Sequence, residues 1–133
     1  MLFGDGAGAV VLEASENPGI LATAMHADGS QNGILNVPGQ ICGGQVTGDP
    51  FLRMDGQAVF KFAVRAMQDA ARVVLDDAGF SIEDVKFVVP HQANLRIIES
   101  VAKHAGLPME KVFLTVQRYG NMSAATVPVA LVT

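Results

Sequence analysis

An α/β domain with a mixed, largely parallel sheet and covering helices is the fold class this sequence implies. Three features point there. "VKFVV" (85–89) and "KVFLTV" (111–116) are short apolar runs rich in β-branched residues, the pattern of a strand buried on both faces. Each run passes through a polar joint into a segment with helical apolar spacing. Strand, helix, strand, helix with such short joints implies parallel pairing by right-handed crossover.

The elements can be justified in chain order. "AVVLEA" (9–14) and "ILATAMHA" (20–27) read as two strands joined by the turn "ENPG". Residues 1–27 are thus expected to be strands ending a preceding half of the fold, and 28–55, with six glycines and little periodicity, a long loop. Residues 56–133 form the expected βα core. Its first helix carries Phe60, Ala63, Val64, Met67, Ala71, Val74, Leu75 and Ala78 on one face, with Gly79 placed to cap it. Lys61, Arg65, Asp69, Arg72 and Asp76 occupy the opposite face, as a solvated surface with i,i+4 ion pairs or as a docking patch. Ser81 and Asp84 form a helix-start pair. A second helix, from Asn94 to Ala105, buries Ile98, Val101, Ala102 and Ala105 and stops at Gly106. After the turn "YGN", a third starts near Ser123, with Pro128 placed to kink it early.

Composition narrows the function. At 133 residues, 50% hydrophobic and 17% charged, the chain has the profile of one globular domain with a real core. Its net charge of -4 and the absence of any Lys/Arg run argue against nucleic acid as the main ligand. No stretch has the length and apolarity of a membrane span, and no secretory leader is legible, which makes the cytoplasm the expected compartment. "GDGAGA" (4–9) matches a dinucleotide-binding pattern by letters, yet a strand-like run follows it where a helix is needed, so it reads as tight backbone packing. His26, His91 and His104 lack metal-ligand spacing, so neither a metal nor a cofactor is expected. His104, near a helix C-terminus, is explained by the helix dipole.

The joints hold the chemistry. His91 and Asn121 each stand where an apolar run ends and a helix begins, the place where ligands bind in parallel α/β sheets. A positive helix end disfavours imidazolium, so His91 is expected to be a neutral hydrogen-bond donor. Two neutral donors converging on one spot would stabilise charge developing on a carbonyl oxygen, as in enolate or thioester chemistry. A histidine capping a helix and an asparagine in an ordinary turn are the plainer alternatives.

"PHQANLRI" (90–97) and "YGNMSAATVPVAL" (119–131), preceded by "FGDGAGAVVLE" (3–13) and "MDGQAVFKFAV" (54–64), resemble the β-ketoacyl-acyl-carrier-protein synthase III family of thiolase-fold condensing enzymes. The resemblance runs along the whole chain and implies a partial thiolase-like fold. It implies a decarboxylative Claisen condensation of acyl-CoA with malonyl-acyl carrier protein that initiates fatty-acid synthesis, with no further cofactor. By position, His91 and Asn121 resemble the residues that hold the malonyl thioester oxygen. Asn94 resembles the residue contacting the pantetheine arm, and Met54, Gly56 and Phe60 line up with the mouth of the CoA tunnel. Lys61 and Arg96 align with cations that receive acyl carrier protein, and a homodimer is implied at full length. The family's nucleophilic cysteine belongs to a segment that the resemblance places before this chain, and Cys42 does not match it. The isolated chain is therefore expected to be inactive in condensation; the alternatives are a non-catalytic piece that binds carrier protein or a complementary half, and a related ketide synthase. Met122 departs from the family's usual threonine, which puts the orientation of the Asn121 amide in question.

Overall fold

Residues 3–133 are described by a computed structural model; Met1 and Leu2, part of the first expected segment, lie outside them. The long helix forms as its pattern requires. In α1 (Gly56–Ala78), the Asp55 side chain accepts from the N–H groups of Gln57 and Ala58 at 3.1 and 2.9 Å, satisfying two donors that an α-helix leaves open. Gly79 ends it at φ 72°, a left-handed conformation that glycine adopts without a Cβ penalty. Arg65–Asp69 (3.9 Å) and Arg72–Asp76 (3.5 Å) pair along the solvent face, as the charge spacing implies. Exposed pairs of this kind contribute only about 0.3–0.5 kcal/mol each.

The Ser81–Asp84 start signal is a true capping box around the 3-10 turn Ile82–Asp84. The Ser81 backbone N–H and hydroxyl both donate to the Asp84 carboxylate, at 2.9 and 2.7 Å. These bonds hold Asp84 below the usual carboxylate range, the backbone N–H contributing most. Helix α2 (Leu95–His104) starts at Asn94, whose side chain accepts from Arg96 N–H at 2.9 Å. It buries Ile97, Ile98 and Ala102, while Val101 and Ala105, expected in the core, are only partly covered. Leu107 N–H returns to the Ala102 carbonyl at 2.9 Å and closes the helix end. Ile98, Ala102, Leu107 and Val112 form the buried core, with Val88, Ile82 and Leu114 packed against it.

The strands are shorter than the apolar runs suggest. Of 85–89 and 111–116, one parallel bridge survives, Val88 to Val112. Val88 N–H donates to Lys111 O at 2.8 Å and Phe113 N–H to Val88 O at 2.9 Å. The pairing is parallel, as the short joints require. A short helix, α3 (Val116–Tyr119), takes over where the second run was expected to continue. A 3-10 turn at Ser123–Ala125 then leads into α4 (Thr126–Val132), whose first turn contains Pro128, where a missing N–H costs no intrahelical bond.

Two expectations in the first part of the chain need correction. Residues 9–14 and 20–27 are not paired strands: Val10, Val11, Leu12, Ile20, Leu21 and Met25 stand exposed without ladder partners among the described residues. An extended run becomes a strand only when a neighbour takes its N–H and C=O groups. Residues 28–55 are more than a loop. A 3-10 turn at Gly29–Ile34, capped by Asp28, precedes β1 (Leu35–Asn36), which pairs antiparallel with β4 (Arg53–Met54). Between them β2 (Gln40–Cys42) and β3 (Gln45–Thr47) form a hairpin. Its turn is Gly43–Gly44 at φ 57° and 77°, the positive values that a two-residue type I′ connection demands.

Candidate active site

His91 and Asn121 belong to one hydrogen-bonded assembly. His91 Nδ1 lies 2.6 Å from Thr126 Oγ1, the Thr126 hydroxyl donates to Ser123 O at 2.8 Å, and Ser123 N–H donates to Asn121 Oδ1 at 2.9 Å. His91 and Thr126, 35 residues apart, thus meet directly, and the Ser123 backbone carries the connection on to Asn121. Ser123 holds the centre at φ 52°, the one positive value at a non-glycine among the described residues. That conformation costs about 1–2 kcal/mol. It lets one residue present its N–H to Asn121 and its carbonyl to Thr126.

The pinning leaves defined atoms open. Asn121 Oδ1 is occupied, and its Nδ2 hydrogens have no hydrogen-bond partner among the described residues. A backbone N–H, that of Ser123, holds the Asn121 amide, and no hydroxyl at position 122 takes part. Met122 itself is buried and packs beside Gly4 and Gly6. On His91 the tied nitrogen is Nδ1, and Nε2 has no side-chain partner among the described residues. Burial of part of the ring disfavours imidazolium and pushes its pKa below 6.5, partly opposed by the Ser123 carbonyl. The neutral ring expected from sequence therefore has a physical cause, though desolvation rather than a helix field comes first.

The sign follows from linkage. A folded state that binds the proton less readily than the unfolded one keeps this contribution in full above 6.5 and loses it as pH falls below that value. An NMR titration of the His91 ring should give a midpoint under 6.5. A midpoint at or above that value contradicts the desolvated setting.

The glycine-rich segment supports the Asn121 loop from behind. Gly4 N–H donates to the Asn121 carbonyl at 2.8 Å, and a methyl group on Gly4 would sit 2.5 Å from the Tyr119 carbonyl oxygen. Since that obstacle is backbone, Gly4→Ala should displace the loop and cost about 1–3 kcal/mol in urea unfolding. An unchanged midpoint would show that the ribbon does not brace the site. Tight backbone packing is what the motif does here.

The missed residue is Gln92. It is 0% exposed, and all its side-chain valences are used. Nε2 donates to the carbonyls of Pro90 and Phe113 at 2.9 and 3.0 Å, and Oε1 accepts from the N–H groups of Thr115 and Val116 at 2.8 and 3.1 Å. It continues by side chain the pairing that the single Val88–Val112 bridge begins, and so fixes where His91 leaves the first strand. Its signal was adjacency to His91 at an apolar run's end.

The other expected site residues are distributed around these joints. Met54 ends β4, exposed, and Gly56 opens α1, with the Met54 side chain beside it. Phe60 is partly covered and Lys61 exposed one turn further on, while Asn94 caps α2 and Arg96 stands exposed in its first turn. Cys42 lies exposed at the end of β2, beside the hairpin turn. No three His, Cys, Asp or Glu side chains converge into a metal site among the described residues.

Comparison with known proteins decides what this geometry belongs to. Residues 1–29 match "3-Oxoacyl-[acyl-carrier-protein (ACP)] synthase III", and residues 75–133 match the C-terminal part of the same synthase. Over 131 residues the chain is 57% identical to a beta-ketoacyl-[acyl-carrier-protein] synthase III of Neisseria gonorrhoeae, covering 98% of this chain and 41% of that protein. The chain belongs to the synthase III family. It spans about 41% of the length of this curated relative. Among solved structures, the 3-oxoacyl-[acyl-carrier-protein] synthase III of Aquifex aeolicus superposes with a TM-score of 0.79 at 44% identity, covering 89% of this chain and 36% of that one. The Pseudomonas aeruginosa enzyme gives 0.79 at 38% identity, over 92% and 37%. This synthase III chain thus has a partial thiolase-like fold. No helix among its described residues is long and apolar enough to cross a membrane.

Proposed function

We propose that this synthase III chain carries the malonyl-binding side of a β-ketoacyl-[acyl-carrier-protein] synthase III, which condenses acyl-CoA with malonyl-acyl carrier protein. The assembly that ties His91, Thr126, Ser123 and Asn121 together is the observation that carries this reading. A malonyl thioester enters with its carbonyl oxygen toward Asn121 Nδ2 and His91 Nε2. When the terminal carboxylate leaves as CO2, the electron pair of the broken C–C bond delocalises onto that oxygen. Once that oxygen is bound, the two donors facing it stabilise the charge as it develops, which lowers the barrier. The carbanion then attacks an acyl thioester; in the family that acyl group rides on a cysteine for which Cys42, at the end of an exposed hairpin strand, offers no counterpart. Met54, Gly56, Phe60 and Asn94 serve the entering pantetheine arm.

The purified chain should release CO2 from malonyl-CoA faster than buffer does and form no ketoacyl product when acetyl-CoA is added. Uncatalysed decarboxylation, or a ketoacyl product, would overturn this division of labour. Lys61 and Arg96 are proposed to receive acidic acyl carrier protein. Reversing both charges should weaken binding about tenfold by titration at low salt, with a smaller difference at high salt. Equal affinities would remove them from the interface.

A second, non-catalytic reading has its own support. Val11 and Met25 are 93% and 95% exposed, within an apolar segment that suits a complementary half of the same fold.

A further inference from the structure

Thr126 is a buried hydroxyl in direct contact with the ring proposed to do chemistry. It is 0% exposed, and its Oγ1 stands 2.6 Å from His91 Nδ1 and 2.8 Å from Ser123 O. A hydroxyl has one proton to give and lone pairs to accept with. Ser123 O can only accept, so the 2.8 Å contact takes the Thr126 proton. Oγ1 then shows His91 only lone pairs, and the 2.6 Å contact is attractive only with a hydrogen on Nδ1. Turning the hydroxyl toward Nδ1 instead would set two oxygen lone pairs against each other across the Ser123 contact. The left-handed Ser123 holds its carbonyl where it makes that difference felt.

We propose that Thr126 is a positioning residue that places the proton of the neutral His91 ring on Nδ1 while the site is empty. Nε2 is then a bare acceptor, and the empty ring cannot yet donate toward a substrate oxygen. The consequence for catalysis rests on the function proposed above. To hold a thioester oxygen, the neutral ring must exchange tautomers. One proton leaves Nδ1 to solvent water, another arrives at Nε2 from water, and the Thr126 hydroxyl swings from Ser123 O to donate to Nδ1. His91 is exposed, so water reaches the ring. Thr126 accordingly decides which nitrogen is the donor, and a substrate oxygen at Nε2 reverses the decision.

Long-range proton–nitrogen NMR of the 15N-labelled chain, at a pH above the His91 titration, reads the tautomer directly. The wild-type chain should show a protonated Nδ1 and an unprotonated Nε2. Thr126→Val, which removes the hydroxyl at nearly constant shape, should shift the ring toward the Nε2-protonated form that free imidazole side chains favour in water, and Thr126→Ser should restore the wild-type pattern. A wild-type ring protonated on Nε2 would overturn the proposal whether or not the valine variant folds. So would a folded Thr126→Val chain with the wild-type pattern. A chain with the expected tautomers that leaves malonyl-CoA intact would instead refute the proposed function, and leave the assignment to Thr126 standing.

Discussion

Gln92→Leu is expected to cost about 4 kcal/mol in urea unfolding, because it strands two buried N–H groups and two carbonyls at once. The native amide, itself 0% exposed, serves Pro90 O, Phe113 O, Thr115 N–H and Val116 N–H within 2.8–3.1 Å. Leucine fills the same volume and satisfies none of them. A loss of this size is a large fraction of the 5–15 kcal/mol typical of a whole domain, so the urea midpoint should fall steeply. A measured loss under 1 kcal/mol would mean that the strand ends are held by something other than this side chain.

The second large effect is on chemistry. His91→Ala should lower the rate of malonyl-CoA decarboxylation by about 10²–10³, the usual cost of one missing donor to an oxyanion. Folding should survive, since the ring is exposed and its partner Thr126 keeps the Ser123 carbonyl as acceptor. Circular dichroism and the unfolding midpoint check that separately from the rate. A folded His91→Ala chain working at the wild-type rate would remove the imidazole from the mechanism.

What sequence reveals here is whatever local physics decides. The 3.6-residue apolar spacing and the Gly79 cap define α1 within a few residues, and the Ser81–Asp84 pair acts as its residue types suggest. His91 and Asn121 could be singled out because each stands where an apolar run gives way to a helix, and because the motifs around them resemble the synthase III family. Their linkage could not, since Thr126 meets His91 across 35 residues and a threonine in "SAATVPVAL" looks like any helix-start residue. Pairing in a sheet is equally non-local. Val10 to Leu12 have strand character and no ladder partner among the described residues, whereas Gly43–Gly44 between "QIC" and "QVT" is a legible hairpin signal in a stretch otherwise short of periodicity. Gln92 shows the same limit: its amide fits four groups on two segments only after those segments lie side by side.

The claim on which the mechanism stands is that one carbonyl oxygen sits against both Asn121 and His91. Titrating malonyl-CoA into the 15N-labelled chain tests it most directly. The Asn121 side-chain amide and the His91 ring nitrogens should shift together along one binding curve, and each shift should be lost when the other residue is replaced by alanine in an otherwise folded chain. If either group stays silent at saturation, or the two follow separate curves, the shared oxygen does not exist.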